Sequence, residues 1–535
     1  MKKKLLLLGL LMCHYFSFCQ IQDAWVYLTD KENVQASIDN PITILTQKAI
    51  DRKSAHGVVV DERDVPVNEN YISQLKMQTG ITVMAKSKWF NAVHVRGSEV
   101  DINALSSLGF VASIDFADKS LNTARTAQPK NKFSVEESQY DFVYGSTQPQ
   151  VEMIDADDLH LQDFTGEGMT VAVIDAGFPN VNTMAAFQRL RDNGDLLDGY
   201  DFVDRTSNVY AFTGSNHGTK VLSTMAGFIQ DQYVGTAPDA SYYLFRTEDV
   251  NSENPVEESY WVEAAERADS LGVDVINSSL GYGSFYDNSN YNYAASDFNG
   301  LIAYVTRGAN IAFEKGLLIV NSAGNEGDAG VNAPADSEYV FSIGAVDANG
   351  IIAWFSSRGS AYQLTQKPDV VAQGKGAYVV SETGSIVAND GTSFSSPIMA
   401  GGVTSLWQAL PNATNAEVMD YVRQSASQYT TPDYDYGYGI PDLGLALNIG
   451  LSLEKDDLSE IKIFPNPVNL ILYIKVPEDF EQSTISIYNV LGKLVLQKNI
   501  TETVNPIDVS SIASGLYIVN LQSEQTTKTF KLIKS

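Results

Sequence analysis

The chemistry-bearing residues of this chain fall in four short segments. Ser393 stands in GTSFSSP (391–397), just after Gly391-Thr392 and at the start of a long apolar stretch. A serine there can be a plain helix cap. It can also be a nucleophile, because a helix N-terminus holds the hydroxyl and favours developing negative charge. A hydroxyl nucleophile needs a base. Of five histidines, His14 lies in a leader, His56 and His94 fall in a first α/β unit, and His160 has an ordinary Leu-His-Leu context. His217 differs: in NHGTKV (216–221), glycine and small residues open a predicted helix. A structural histidine is the alternative. Asp175 closes the apolar run TVAVID (170–175), where a buried carboxylate must be paired or hydrogen-bonded. It could orient His217, or cap the following loop. Asn325 lies in NSAGNEG (321–327), where small residues such as Gly324 let a ligand approach the backbone. Its amide, with the backbone N–H of Ser393, could stabilise a tetrahedral oxyanion. On its own, Ala-Gly-Asn is only a turn.

Placing these four together requires a scaffold. Short β-rich runs at 170–175, 241–246, 273–281, 317–324 and 339–346 alternate with helical stretches at 261–272 and 304–316. SFSSPIMAGGVTSLWQAL (393–410) reads as a further long, mostly apolar helix, in which Ser395 and Ser396 are packing residues. This rhythm predicts a parallel sheet covered by helices on both faces, with active groups at the carboxyl ends of the strands. The earlier pattern, about 24–116, predicts a small α/β sandwich. Residues 117–139 are polar and Pro-interrupted, and read as an exposed linker open to proteolysis. After about 450, short alternating runs broken by Pro, Asn and Gly predict an all-β sandwich.

Asp, His, Asn and Ser in that order on one parallel sheet are far more specific than any of them alone. AVIDAGF, NHGTK, VINSSLG, NSAGNEG, FSSRG, KPDVVAQG and GTSFSSPIMAG resemble the subtilisin-type (S8) serine peptidases over about residues 141–450. The resemblance implies a subtilisin-like α/β fold and a secreted serine endopeptidase working through an acyl-enzyme. It assigns Asp175, His217 and Ser393 to the triad and Asn325 to the oxyanion hole. Ser279, Leu280 and Gly281, together with Gly324, would bind an extended peptide by strand addition. No cofactor is required for the chemistry, and the metal ligands are unknown. Structural calcium has no support, because AGFIQDQYVGTAP (226–238) lacks the longer Asn-containing loop that binds it in many relatives. Lys220 stands where relatives often carry a second histidine. GDAGVNAPADSEY, after Asn325, is short and leaves the far wall of the specificity pocket undefined. The aromatic, Asn-rich insertion at 282–300 reads as a solvated loop, the rivals being a substrate-side loop or a cation site through Asp287 and Asp297.

The flanks carry two further resemblances. Residues 20–116 resemble an I9-type propeptide, which implies a temporary inhibitor removed by self-cleavage in the region 117–140. Residues 451–535 resemble a type IX secretion system sorting domain, through FPNPV (464–468), IYNVLGKLV (487–495), SGLYIVNL (514–521) and the closing KLIKS. A carbohydrate-binding sandwich is the rival for that segment. Lys2–Lys4, the apolar Leu5–Met12 and Ser17-Phe18-Cys19 read as a signal peptide over 1–19, with a lipid anchor on Cys19 as the alternative. The expected location is outside the cell or on its outer surface.

Composition sets outer bounds. Lys+Arg number 36 against Asp+Glu 65, a net charge of −29, which argues against nucleic-acid or anionic-membrane partners. The expected partners are protein or peptide substrates and the type IX machinery, with the enzyme a monomer. The only cysteines are Cys13 and Cys19, so a chain cleaved after residue 19 is held by its cores rather than by disulfides. Two other functions remain open in the residues: an inactive peptidase scaffold used for binding, and acyl transfer to an amine in place of water.

Overall fold

The computed structural model describes residues 20–122, 142–457, 462–476, 483–489, 493–500, 504–522 and 527–535. The signal-peptide segment and most of the linker lie outside the described residues. The chain forms two units, Met1–Leu447 and Asn448–Ser535.

The centre of the first unit is a seven-stranded parallel sheet. In space its strands run Val370–Gln373, Val340–Val346, Leu318–Ser322, Val275–Ser278, Thr170–Asp175, Ser241–Arg246 and Leu196–Asp201. The Thr170–Asp175, Val275–Ser278, Leu318–Ser322 and Val340–Val346 strands are buried along their whole length, because helices cover both faces. After Asp175 the chain builds to one side of this strand, then crosses to the other at Val275. A crevice therefore opens beyond the carboxyl ends of the Asp175 and Val275 strands, at the point where strand order reverses. The helix Thr392–Gln408 lies in the core and buries nearly every residue after its first turn.

Residues before the linker form an antiparallel four-stranded sheet, in the order Thr82–Ser87, Ala92–Ser98, Ile21–Leu28 and Val111–Phe116. Its helices Glu69–Lys76 and Glu99–Ala104 are capped by Asn68 and Ser98 and close a core that includes Val26, Ile72, Val93 and Ile102. This sheet docks on the helix Val256–Leu271 of the larger domain. Trp25 stacks on Tyr304 at 4.4 Å between centroids and donates its indole N–H to Ser259 Oγ at 2.8 Å. Glu266 accepts from Ser87 Oγ (2.5 Å), Lys88 N (3.0 Å) and Trp89 N (2.9 Å). Deeper, charge is exchanged in both directions. Arg52 and Lys53 reach Asp269 at 2.6 and 2.7 Å, while Lys315 reaches back to Asp64 at 2.7 Å and Asp61 at 2.9 Å. Arg52, Lys53, Asp64, Asp269 and Lys315 are all buried.

The insertion at 282–300 departs from the solvated loop expected of it. Tyr282, Tyr286, Tyr291, Tyr293 and Phe298 are buried. Tyr286 and Tyr293 donate to the buried carboxylate of Glu258 at 2.7 and 2.8 Å, and the Tyr291 hydroxyl accepts from Asp23 N at 3.2 Å. Aromatic rings that looked free for solvent are instead buried, Tyr291 against the N-terminal sheet and the others within the larger domain. Asp297 binds Lys119 at 2.6 Å, and no group of three or more metal-ligating side chains occurs among the described residues.

The second unit holds two antiparallel sheets. One has the order Lys462–Phe464, Ile471–Lys475, Val504–Asp508; the other runs Leu494–Asn499, Thr484–Asn489, Gly515–Gln522, Thr527–Lys534. Alternate residues, among them Leu472, Ile474, Ile485, Ile487, Val519 and Leu521, fill the space between them.

Asp269→Ala takes the carboxylate from two buried cations at the docking face, leaving Lys53 with Asp64 and Arg52 with the Lys315 carbonyl. It should destabilise the full-length chain by about 3 kcal/mol, read as a lower urea midpoint; an unchanged midpoint would remove the network from the account of docking.

Candidate active site

Each site segment sits where a strand ends or a helix begins. Asp175 is the last residue of its strand and is fully buried. Its Oδ1 accepts from Ala176 N and lies 2.7 Å from His217 Nδ1. That bond makes Nδ1 the protonated nitrogen beside the carboxylate and leaves Nε2 as the free nitrogen. His217 is the first residue of the helix His217–Ala226, with its side chain about one-third exposed. Burial works against its cation, but the charge and hydrogen bond of Asp175 outweigh that and hold the imidazole pKa above its ordinary 6.5. Lys220, one turn along, pushes it down, and Glu248 pushes it up.

The other histidines are accounted for elsewhere. His160 is buried between Tyr144 OH (2.8 Å) and Thr236 O (3.1 Å), and burial lowers its pKa to about 4. His94 bridges Asp23 and Ser259 at the docking face, and His56 packs near the Trp407 ring.

Ser393 is the second residue of the helix Thr392–Gln408, entered through Gly391 at φ +146°, a conformation that glycine alone adopts without strain. Pro397, four residues on, has no N–H to give to the Ser393 carbonyl. Ser279 Oγ donates to that carbonyl instead, at 2.9 Å. The Ser393 hydroxyl points at Ser279 O, 3.5 Å away, and no hydrogen bond joins it to His217 among the described residues. The structure thus brings Asp175 and His217 into contact and sets the ring of Phe394, next to Ser393, 5.9 Å from the imidazole between centroids, with the Ser393 hydroxyl turned to the strand edge.

Asn325 follows the Leu318–Ser322 strand and is exposed. Its Oδ1 accepts from Thr392 N (2.9 Å) and Thr392 Oγ1 (3.0 Å). A backbone N–H can only donate, so the atom facing it is the oxygen and the NH₂ is left to face the cleft. Thr392 Oγ1 also lies 3.1 Å from Gly324 O, so one threonine ties the Gly324-Asn325 turn to the first residue of the serine helix. Ser279, Leu280 and Gly281 continue from the Val275–Ser278 strand. Asn321 Nδ2 holds the Leu280 carbonyl at 2.9 Å, and the Gly281 backbone is exposed.

Two residues here had escaped the reading of motifs. Thr392 entered the sequence reading only as the residue before Ser393, although a threonine at a helix start is itself a signal of capping or clamping. Glu248 lies after the Ser241–Arg246 strand in a run without pattern. It accepts from Tyr282 OH at 2.7 Å and Thr247 Oγ1 at 2.8 Å, and burial raises its pKa to about 7, with repulsion from Glu253 and Asp175 adding to the effect.

The chain is similar to known proteins along most of its length. The model of the Subtilase family matches residues 166–439, just over half of the chain. The Peptidase S8 propeptide domain of Bacteroidota matches 23–134, and the Secretion system C-terminal sorting domain matches 462–535. Subtilisin E of Bacillus subtilis (strain 168) is 31% identical over 316 residues, covering 57% of this chain and 73% of that protein. Subtilisin of Bacillus pumilus is 30% identical over 299 residues, covering 54% and 94%. The thermostable alkaline protease of Halalkalibacterium halodurans is 29% identical over 299 residues, covering 55% and 72%.

Thr392→Val keeps the backbone donor to Asn325 but loses the hydroxyl clamp. It should slow modification of Ser393 by a fluorophosphonate about tenfold or more while the chain stays folded; an unchanged rate would mean that the turn holds its own position.

Proposed function

The chain belongs to the subtilase family, and from that premise we propose that Asp175, His217 and Ser393 act as its catalytic triad, with Asn325 in the oxyanion hole. The protein is a serine endopeptidase of subtilisin type, carries an S8 propeptide, and needs no cofactor for its chemistry. The observation that carries the residue assignment is the 2.7 Å contact between buried Asp175 and His217 Nδ1. It fixes the tautomer and presents Nε2 as the base.

In this reading Ser393 turns its hydroxyl from Ser279 O to His217. Its Oγ attacks the peptide carbonyl carbon while Nε2 takes the proton. Negative charge forms on the carbonyl oxygen, facing the Asn325 NH₂ and the Ser393 N–H. The imidazolium, steadied by Asp175, passes the proton to the amide nitrogen; the C–N bond breaks and the amine leaves. Water then attacks the ester with His217 again as base, and Ser393 recovers its proton. Ser279–Gly281 and Gly324 would hold the peptide as an added strand.

The propeptide docks on the Val256–Leu271 helix, and self-inhibition followed by cutting in the region 117–140 is the maturation that this arrangement supports. The sorting domain implies export through a type IX secretion system to the cell surface or beyond. Among the described residues no helix is long and apolar enough to cross a membrane.

A Ser393→Ala precursor should remain full length and lose all fluorophosphonate labelling; normal trimming would show that another protease does the cutting. The pH profile gives a second check. The imidazole must start neutral and its pKa is raised, so kcat/KM should fall as pH drops through a midpoint above 6.5. Lys220→Gln removes a charge that opposes the imidazolium and should move that midpoint further up; a downward move would contradict the electrostatic picture of the site.

A further inference from the structure

The reading of Ser279–Gly281 and Gly324–Asn325 as two walls leaves open what lies between them. Each wall carries a glycine, residue 281 in one and residue 324 in the other, and Gly324 has φ +114°. One side chain reaches both. A methyl group placed on Gly281 would come within 3.0 Å of Asn332 Cβ and 3.2 Å of its Nδ2. One placed on Gly324 would meet Glu326 Oε2 at 2.4 Å, Ser357 Oγ at 2.7 Å and Asn332 Nδ2 at 3.3 Å. Asn332 Oδ1 would likewise lie 3.3 Å from a methyl group on Gly283.

Asn332 is also held in place. Its N–H reaches Ala323 O at 3.4 Å, and the next residue pairs with the opposite wall through Ala333 N to Tyr282 O (3.1 Å) and Tyr282 N to Ala333 O (2.8 Å). Its amide donates to Glu326 Oε2 at 3.0 Å, and that carboxylate accepts from Ser357 Oγ at 3.0 Å. Ser357 N in turn bonds Gly324 O at 3.0 Å. The side chain is buried, so it has no room to swing out of the way without breaking this set.

We propose that Asn332 forms the floor of the pocket for the residue preceding the scissile bond, and restricts that residue to small side chains such as alanine and serine. The proposal rests on the active-site reading above. In an extended peptide, side chains alternate between faces. The one whose carbonyl faces Asn325 and Ser393 is directed between the Gly281 and Gly324 walls. There it meets the amide of Asn332 where a deeper slot would have admitted leucine or phenylalanine. The extra atoms of a large side chain would have to displace a hydrogen-bonded amide in a packed site.

The test uses the full-length chain, allowed to mature, with active sites counted by fluorophosphonate labelling. Peptides identical except for Ala, Ser, Leu or Phe before the cleaved bond are compared by kcat/KM. The Ala peptide should exceed the Phe peptide by about tenfold or more. Asn332→Gly should raise the Phe-to-Ala ratio by about tenfold or more, and Asn332→Ser should raise it less. Equal cleavage of the Ala and Phe peptides by the unmodified enzyme would overturn the proposal, even if neither variant folds. So would folded variants whose ratio stays put. A chain that neither labels nor cleaves any peptide is a separate outcome and would overturn the active-site reading itself.

Discussion

The contact between Asp175 and His217 constrains everything around it. A carboxylate with no solvent exposure is tolerable only where donors surround it. Asp175 has two at Oδ1, from Ala176 and His217, and none at Oδ2 among the described residues. The imidazole must therefore come very close, and the helix that carries it packs against the strand end. A side chain at residue 218 would lie 2.7 Å from Gly177 O and 3.0 Å from Asp175 Cβ, which is why a glycine follows the histidine. The neighbouring strand is fixed by the same economy of charge. Arg246, paired in register with Asp175, is buried on Phe212 and bonds Asp201 and Asp204 at 2.8 Å each. The ends of the Ser241–Arg246 and Leu196–Asp201 strands are thus tied by charges that cannot move apart without losing their partners.

The docking of the N-terminal sheet follows the same physics on a larger surface. Burial raises the pKa of Glu266 to about 7 and lifts those of Glu258 and Glu263, so ionising these groups in the docked state is costly. Donors from the sheet, the insertion and Arg205 offset that cost. Desolvation consumes much of what such pairs gain. The more secure consequence is geometric: in any shifted pose Asp269 and Lys315 would be buried without their partners from the N-terminal domain. The network thus selects one orientation of the propeptide on the larger domain.

How much of this was legible in the sequence varied with the physics. Strands buried on both faces write themselves as apolar runs, so 170–175, 241–246 and the runs ending near 278, 322 and 346 could be read directly. The edge strands could not. Leu196–Asp201 alternates Leu, Asp and Gly, and Val370–Gln373 is too short to show a period. The four chemical residues stood out because motifs concentrate them at strand ends and helix starts. Residues acting through long-range contacts left little trace. Thr392 clamps a turn 67 residues away, and Asn332 lies in a stretch whose shortness alone was visible. The tyrosines of 282–300 misled for a related reason: their partner, the carboxylate of Glu258, comes from another helix, and a ring's burial depends on what folds over it.

The resting position of Ser393 bears on how substrate and nucleophile are linked. Its hydroxyl and the Ser279 carbonyl share a 3.5 Å contact, while Ser279 Oγ holds the carbonyl freed by Pro397. Ser279 therefore fixes the backbone of the nucleophile with its side chain and detains the hydroxyl with its main chain. A peptide adding itself as a strand along Ser279–Gly281 needs main-chain acceptors on that edge. Its N–H groups are better placed to use the Ser279 carbonyl than a hydroxyl at the limit of hydrogen-bond distance. On the proposed triad, the serine proton would then pass to the free Nε2 of His217. Completion of the Ser393–His217 pair would, on that same triad, be coupled to strand pairing with substrate.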